Sequence, residues 1–531
     1  MQLQRRDGTR LNKKDNGIVK CMRNYSEPGG SQSLLQYCII MLFALMCSFC
    51  SSSKKALQPN RKHPPEQLRR DFTLFRNILE ESHPSLYWFS PKDSMDYFFD
   101  WGLRQIKDSM NERDFRMLLT YVVGKIRCGH TSVRPSKKYN RYLDTARLKL
   151  FPLSMKIWDD TMVVTSNINR RDSVLKRGTI ITAIDGRNAA ELIDTLLNYV
   201  TGDGYAVVGK YQSLSNRGNF ATLYRNIFGL PDTLQVQYLD STGELRYTYL
   251  KAYDPKDTIG KLRLNITEPK KRVIRQYELV ANRNVQIDPS LSSAYMTVNT
   301  FSRGNRLKGF FKKSFRTIDK LKLQHLVVDV RANGGGDAGI STLLTQYLVD
   351  KKFKIADSLY AVKRSSRYRR YIEWQRVYWL MTRFVTSKRA DGNYHFGYFE
   401  RHYFKPRKKH HFDGNIYLLT GGNSFSATTL VLKALQGQPN VKIIGEETGG
   451  GSYGNTAWMI PDVRLPETGV RFRLPKFRLV MDKDLVKAGR GIMPDIEVRA
   501  TPELILKGID PKIEVVKEII KKAQPTTTQR N

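Results

Sequence analysis

Cysteine is almost absent from this chain after position 50. Of the five cysteines, Cys21, Cys38, Cys47 and Cys50 lie at or before that point, and only Cys128 lies beyond it. A disulfide framework and a cysteine-based metal site are therefore both excluded, and no cofactor is implied. Acidic residues are scarce: 50 Asp and Glu face 89 Lys and Arg, for a formal charge of +39. The basic residues are spread along the whole length instead of forming one arm. No zinc-knuckle spacing, phosphate loop or RNA-binding signature accompanies them, so the charge reads as a solvated surface and nucleic acid is not an expected partner. Histidine is also rare, at eight residues. The most apolar run, Leu34 to Phe49, is 16 residues long with Gln36 inside it, short for a membrane span.

That run is preceded by Arg5, Arg6, Lys13, Lys14, Lys20 and Arg23 and followed by Cys50-Ser51-Ser52. The arrangement is similar to a bacterial lipoprotein signal, with an alternative start at Met22. The resemblance implies export to the cell envelope (periplasm or outer membrane), with Cys50 as the acylated first residue and a lipid anchor in the membrane. Phe49 stands where a small residue is usual. Cys47 is a second possible site, and an uncleaved N-terminal anchor is the other reading.

Residues 1–50 are thus a signal segment and 51–65 a polar linker. Leu68, Phe72, Phe75 and Leu79 recur at helical spacing and open a helical cap domain over 66–145. From about Leu150 the texture changes to short β-rich runs. Strand, Asp185-Gly186 turn and helix follow one another in an order that resembles a PDZ domain, spanning 146–268. The resemblance implies that the Lys176-Arg177-Gly178 turn presents backbone amides to a peptide carboxylate. Lys270 to Arg283 reads as a basic linker. Residues 285–522 alternate strands and helices, which argues an α/β core.

Two strand-to-helix corners carry the chemistry. In Asp329-Val-Arg-Ala-Asn-Gly-Gly-Gly-Asp337, three glycines follow a buried strand and let the backbone approach a ligand closely. In Leu419-Thr-Gly-Gly-Asn-Ser-Phe-Ser-Ala-Thr-Thr429, a strand runs into a Ser/Thr-rich helix start. A serine there can cap the helix, or act as a nucleophile beside helix-end N–H groups.

Together with Gly445-Glu-Glu-Thr448 and Gly491-Ile-Met-Pro-Asp-Ile-Glu-Val498, these corners resemble the tail-specific (C-terminal processing) serine proteases. The resemblance implies a crotonase-like α/β core and polypeptide substrates, cleaved near C-termini or in unfolded chains. It places the nucleophile on Ser426, with Ser424 a cap or support. It implies an oxyanion hole from the N–H of Ala427 and a glycine of the Gly334–Gly336 run, foremost Gly335. Gly451 stands where the best-known branch carries its lysine base. The pattern is instead similar to the tricorn-core and interphotoreceptor-retinoid-binding-protein-like branch, which implies His130 of Gly129-His130-Thr131 as the base. Ala488 occupies the position of that branch's orienting Glu, leaving Glu446, Glu447 and Asp484 as candidate acids. An ordinary histidine pKa implies activity that rises between about pH 6 and 7. The competing reading is a module on the same fold that holds peptide ends or an apolar ligand without turnover.

Overall fold

The computed structural model describes residues 57–256 and 271–523. Apart from Leu57, these belong to one unit, Gln58–Asn531. The signal segment, Cys50, Cys47 and Met22 lie outside the described residues.

Helix α1 (Pro65–Ser82) starts with proline at its first turn and Glu66 near its N-terminus, and it buries Leu68, Phe72, Phe75 and Leu79. It packs with α2 (Lys92–Arg104) and α3 (Glu112–Lys125), the latter capped by the Asn111 side chain. These helices do not close their own core. Val463, Leu465, Val470, Phe472 and Leu474, more than 300 positions downstream, complete it. The link is a three-stranded sheet in which Val133–Arg134 pairs with Arg471–Arg473, and that strand with Asp462–Arg464.

The second part is an antiparallel sheet of β1 (Leu153–Trp158), β2 (Thr161–Asn167), β3 (Ile180–Ile184), β4 (Thr233–Leu239) and β5 (Leu245–Lys251), paired in that order. Helix α4 (Ala189–Leu197) covers it, supplying Leu192, Ile193 and Leu196 to the core.

The stretch read as a basic linker is instead helical: α5 spans Lys271–Asn282. Its charges hide a helical spacing of Val273, Tyr277 and Val280. Lys270 lies outside the described residues. The last part comprises β6 (Arg283–Asp288), β7 (Ser293–Val298), α6 (Leu307–Lys320), β8 (His325–Asp329), α7 (Ala338–Leu348), α8 (Gln375–Val385), β9 (Asn415–Thr420), α9 (Ala427–Leu435), β10 (Val441–Gly445), β11 (Ile496–Glu497) and α10 (Pro511–Ala523). The six strands form one sheet in chain order, antiparallel only between β6 and β7. Strand alternation divides the core between its two faces. Leu326, Val328, Ile416, Leu418 and Ile443 pack towards α6, α7 and α9. Val327, Tyr417, Leu419 and Ile444 meet Val516 and Ile520 of α10.

Asp329 and Leu419 are paired in register on adjacent parallel strands. The two corners singled out in the sequence therefore leave the same edge of the sheet side by side. The carboxyl ends of parallel strands are where α/β sheets bind ligands.

Candidate active site

Asn333 is fully buried and fastens the two corners together. Its side-chain amide donates to Val298 O (2.9 Å), and its carbonyl accepts from Phe425 N (3.1 Å) and Thr428 Oγ1 (2.8 Å). Ser424 adds a second tie, donating to Val330 O at 2.9 Å with no exposed surface. Ser424 thus supports the corner and is turned away from the site. Ser424→Ala should remove the hydroxyl that donates to Val330 O and accepts from Gly421 N, costing on the order of 1–3 kcal/mol of stability. Turnover of a polypeptide should change little. A fall in kcat as deep as that of a Ser426 variant would contradict this assignment.

Ser426 precedes α9 with φ 58° and ψ −121°, a left-handed backbone that L-residues rarely adopt. Such a residue costs roughly 1–3 kcal/mol and persists only where its surroundings impose it. Gly335 packs against this strand-to-helix turn: a Cβ there would lie 2.7 Å from Ser426 Cβ and 2.9 Å from Ala427 N, with φ at +95°. Only glycine fits.

His130 follows from the three-stranded sheet. Arg473 N donates to Ser132 O at 2.9 Å, fixing the chain two residues on. Gly129 lets the turn press onto Phe425, where a Cβ would come within 2.7 Å of the ring. The imidazole then stacks on Phe425 at 4.6 Å between centroids. Its Nε2 lies 3.0 Å from Ser426 Oγ, across 296 positions of sequence. His130 is buried, and its Nδ1 has no hydrogen-bond partner among the described residues. Burial, reinforced by the Arg473 charge, pushes its pKa down to about 3. The imidazole is neutral at ordinary pH and able to accept a proton. An acid limb at pH 6 to 7 therefore does not come from His130, a correction to the expectation for an ordinary histidine.

Two of the three candidate acids are engaged elsewhere, and the third points to solvent. Glu446 pairs with Lys512 at 2.5 Å and lies 3.8 Å from Lys156. Glu447 accepts from Arg490 Nε and Nη2 (2.9 and 2.7 Å) and from Gly491 N (2.7 Å), bracing the Gly491–Val498 segment. Asp484 is exposed in a short 3-10 turn. The carboxylate beside the histidine turn is instead Asp203, which the sequence reading missed. Its Oδ1 accepts from Gly129 N at 2.7 Å, and Gly451 N is a second donor to the carboxyl. Burial pushes Asp203 up to about 7, against the pull of those two donors. Its Oδ2 has no partner among the described residues. The only sequence cue is a lone aspartate between glycines, Gly202-Asp203-Gly204. Gly451 itself has no room for a side chain, since a Cβ would fall 2.4 Å from the Tyr453 ring.

Two further assignments change. Gly335 N–H donates to Asn333 Oδ1 at 2.9 Å, so it is not free to hold an oxyanion here. Phe301 forms a parallel bridge to Gly336, donating to Gly335 O and accepting from Asp337 N. In such a bridge the N–H of Gly336 itself points to the other side. Gly336, Ser426 and Ala427 line one cavity of about 700 Å³ whose walls include Tyr398, Phe399, Trp458 and Met459. Gly178 is not an open carboxylate cradle. Its N–H donates to Val164 O at 2.8 Å, a Cβ there would lie 2.7 Å from Leu506 Cβ, and Arg177 Nε donates to Ile505 O, so the chain's own Pro502–Lys507 helix covers the turn. Among the described residues, no group of His, Cys, Asp or Glu is placed to hold a metal ion.

Residues 292–498 match the model of peptidase family S41. The chain carries an S41 peptidase domain. The S41 match takes in both corners, Ser426 and the closing Gly491–Val498 segment, whereas His130 and Asp203 lie outside it. No curated protein sequence matches the chain. Among solved structures, mature CPAF aligns with a TM-score of 0.57 at 12% identity, over 87% of this chain and 99% of that one. Mature CPAF complexed with lactacystin gives 0.56 at 12%, over 86% and 98%. A putative peptidase from Parabacteroides merdae gives 0.41 at 16%, over 87% and 100%. At such identities the CPAF likeness bears on the fold alone: an α/β protease fold of mixed sheets and helices.

Proposed function

We propose that the protein is a serine-type peptidase acting on polypeptides, with Ser426 as nucleophile and His130 as base. The observation that carries this is the 3.0 Å approach of His130 Nε2 to Ser426 Oγ on a strained strand-to-helix turn. His130 takes the Ser426 proton as Oγ attacks a peptide carbonyl. The oxyanion is held by Ala427 N–H at the helix start, where N–H groups lack intrahelical partners, and by Gly336 N–H in place of Gly335. His130 then returns the proton to the leaving amine, and water releases the acyl group. Asp203 holds the Gly129–His130 turn through the Gly129 N–H. The histidine from the helical part is the feature of the tricorn-like branch. The α/β sheet is read as crotonase-like and the β-rich part as PDZ-like, with its peptide-end site closed by residues 502–507.

Hydrolysis of an unfolded polypeptide such as reduced casein tests this reading. The wild type should cleave it and Ser426→Ala should not; equal, negligible rates for both would overturn the proposal. The second reading, a binding module without turnover, is favoured by the unpartnered His130 Nδ1. It predicts that the wild type binds peptide while leaving it intact.

For location, we propose export and lipid attachment at Cys50. Intact-mass measurement of the chain from membranes should give an acylated protein beginning at Cys50. A full-length chain with a free Cys50 thiol would rule this out.

A further inference from the structure

Helix α8 is built inside out. Its buried residues are polar: Gln375 and Thr382, seven positions apart on one face. That face is tied down by hydrogen bonds, Gln375 Nε2 to Arg364 O (3.3 Å) and Thr386 Oγ1 to Thr382 O (2.7 Å), with Arg364 Nε donating to Thr386 Oγ1 (3.0 Å). The opposite face carries Val377, Leu380, Met381 and Phe384 at the three- and four-residue spacing of one helical stripe. All four are exposed, Phe384 by 81% and Leu380 by 52%. Trp374 and Trp379 are also exposed. A folded chain in water gains nothing from such a stripe unless something covers it.

The charge around the helix points to what covers it. Residues 363–389 contain nine Lys or Arg and one acid, Glu373. Glu373 is already paired with Lys137. Arg376 and Arg383 flank the stripe, and Arg369, Arg370, Lys388 and Arg389 are exposed at the helix ends. A second copy seated on this face would bring two such basic sets together. An anionic lipid surface satisfies both features at once: aromatic and aliphatic side chains enter the headgroup boundary while Arg and Lys meet phosphates. Among the described residues no helix is long and apolar enough to cross a membrane, so α8 would lie in the interface plane.

We propose that α8 is a docking face for an anionic phospholipid bilayer, separate from any N-terminal anchor and from the Ser426 site.

The test is flotation of the unlipidated full chain with vesicles of phosphatidylcholine containing roughly a quarter phosphatidylglycerol. The wild type is compared with Leu380→Glu/Phe384→Glu and with Arg376→Glu/Arg383→Glu. All carry the same N-terminal segment, so a difference reports the helix. Unchanged thermal midpoints establish that the variants fold. Both variants should bind at least about tenfold less than the wild type, and about 0.5 M salt should release the wild type. Equal flotation of all three chains, or equal wild-type binding to phosphatidylcholine alone, would overturn the proposal. So would a concentration-dependent dimer that the Leu380→Glu/Phe384→Glu change abolishes without altering flotation, since the covering partner would then be a second copy.

Discussion

Ser426→Ala and His130→Ala are each expected to lower kcat on a polypeptide by roughly 10⁴-fold or more, with melting curves close to the wild type. The two residues act in one step, so the double variant should be hardly slower than either single one. Their contact is the sole link that the chemistry needs between the helical part and the S41 domain, spanning 296 positions. Neither side chain supports a core. His130 is stacked on Phe425, and Ser426 lies in strained backbone, so truncation of either leaves the sheet and the Asn333 ties in place. Multiplicative losses in the double variant would mean that the two groups serve separate steps, and the proposed proton transfer between them would be wrong.

Asp203→Asn is expected to cost roughly 10²-fold in kcat/KM and to remove the acid limb of the pH profile. In the wild type that limb should lie near pH 7, the value to which burial lifts the Asp203 carboxyl. Below it the group is a neutral acid and holds the Gly129 N–H weakly; above it the carboxylate accepts that N–H with full charge and fixes the His130 turn. The sign for stability is opposite. The folded pKa is raised above the ordinary 3.8. Between those two values the native state binds more protons than the unfolded chain, so stability falls as pH rises through that window. The whole shift corresponds to on the order of 4 kcal/mol, at about 1.4 kcal/mol per pH unit. Asp203→Asn should therefore be more stable than the wild type at pH 8 while being less active. A wild-type profile flat from pH 5 to 9, or an Asn variant with the same midpoint, would remove Asp203 from the account.

The corners at Gly334–Gly336 and Ser424–Thr429 were legible because local chemistry announces them: a buried strand, glycines, then a helix start. The parallel α/β alternation was legible for the same reason, since period and length are local properties. Long-range geometry was not. That the helical part borrows residues 463–474 for its core depends on a strand of two residues, Val133–Arg134, too short to leave a pattern. Asp203 was hidden because its role is a backbone contact to Gly129, and any carboxylate between glycines reads as a turn. Glu446 and Glu447 drew attention through the motif they sit in, yet their partners, Lys512 and Arg490, lie 66 and 43 positions away. The Gly178 turn looked open because nothing local reveals that Leu506 closes it. The charge of residues 271–282 and 363–389 masked two helices whose apolar residues keep helical spacing.

The most direct test of the central claim is the rate and site of modification by a fluorophosphonate probe, followed by intact mass and peptide mapping. A serine reacts quickly with such a probe only when a base activates it and donors stabilise the oxyanion. The wild type should gain one adduct, on the peptide containing Ser426. His130→Ala should react far more slowly, and Ser426→Ala not at all. An adduct on Ser424, or a wild type as unreactive as Ser426→Ala, would contradict the account.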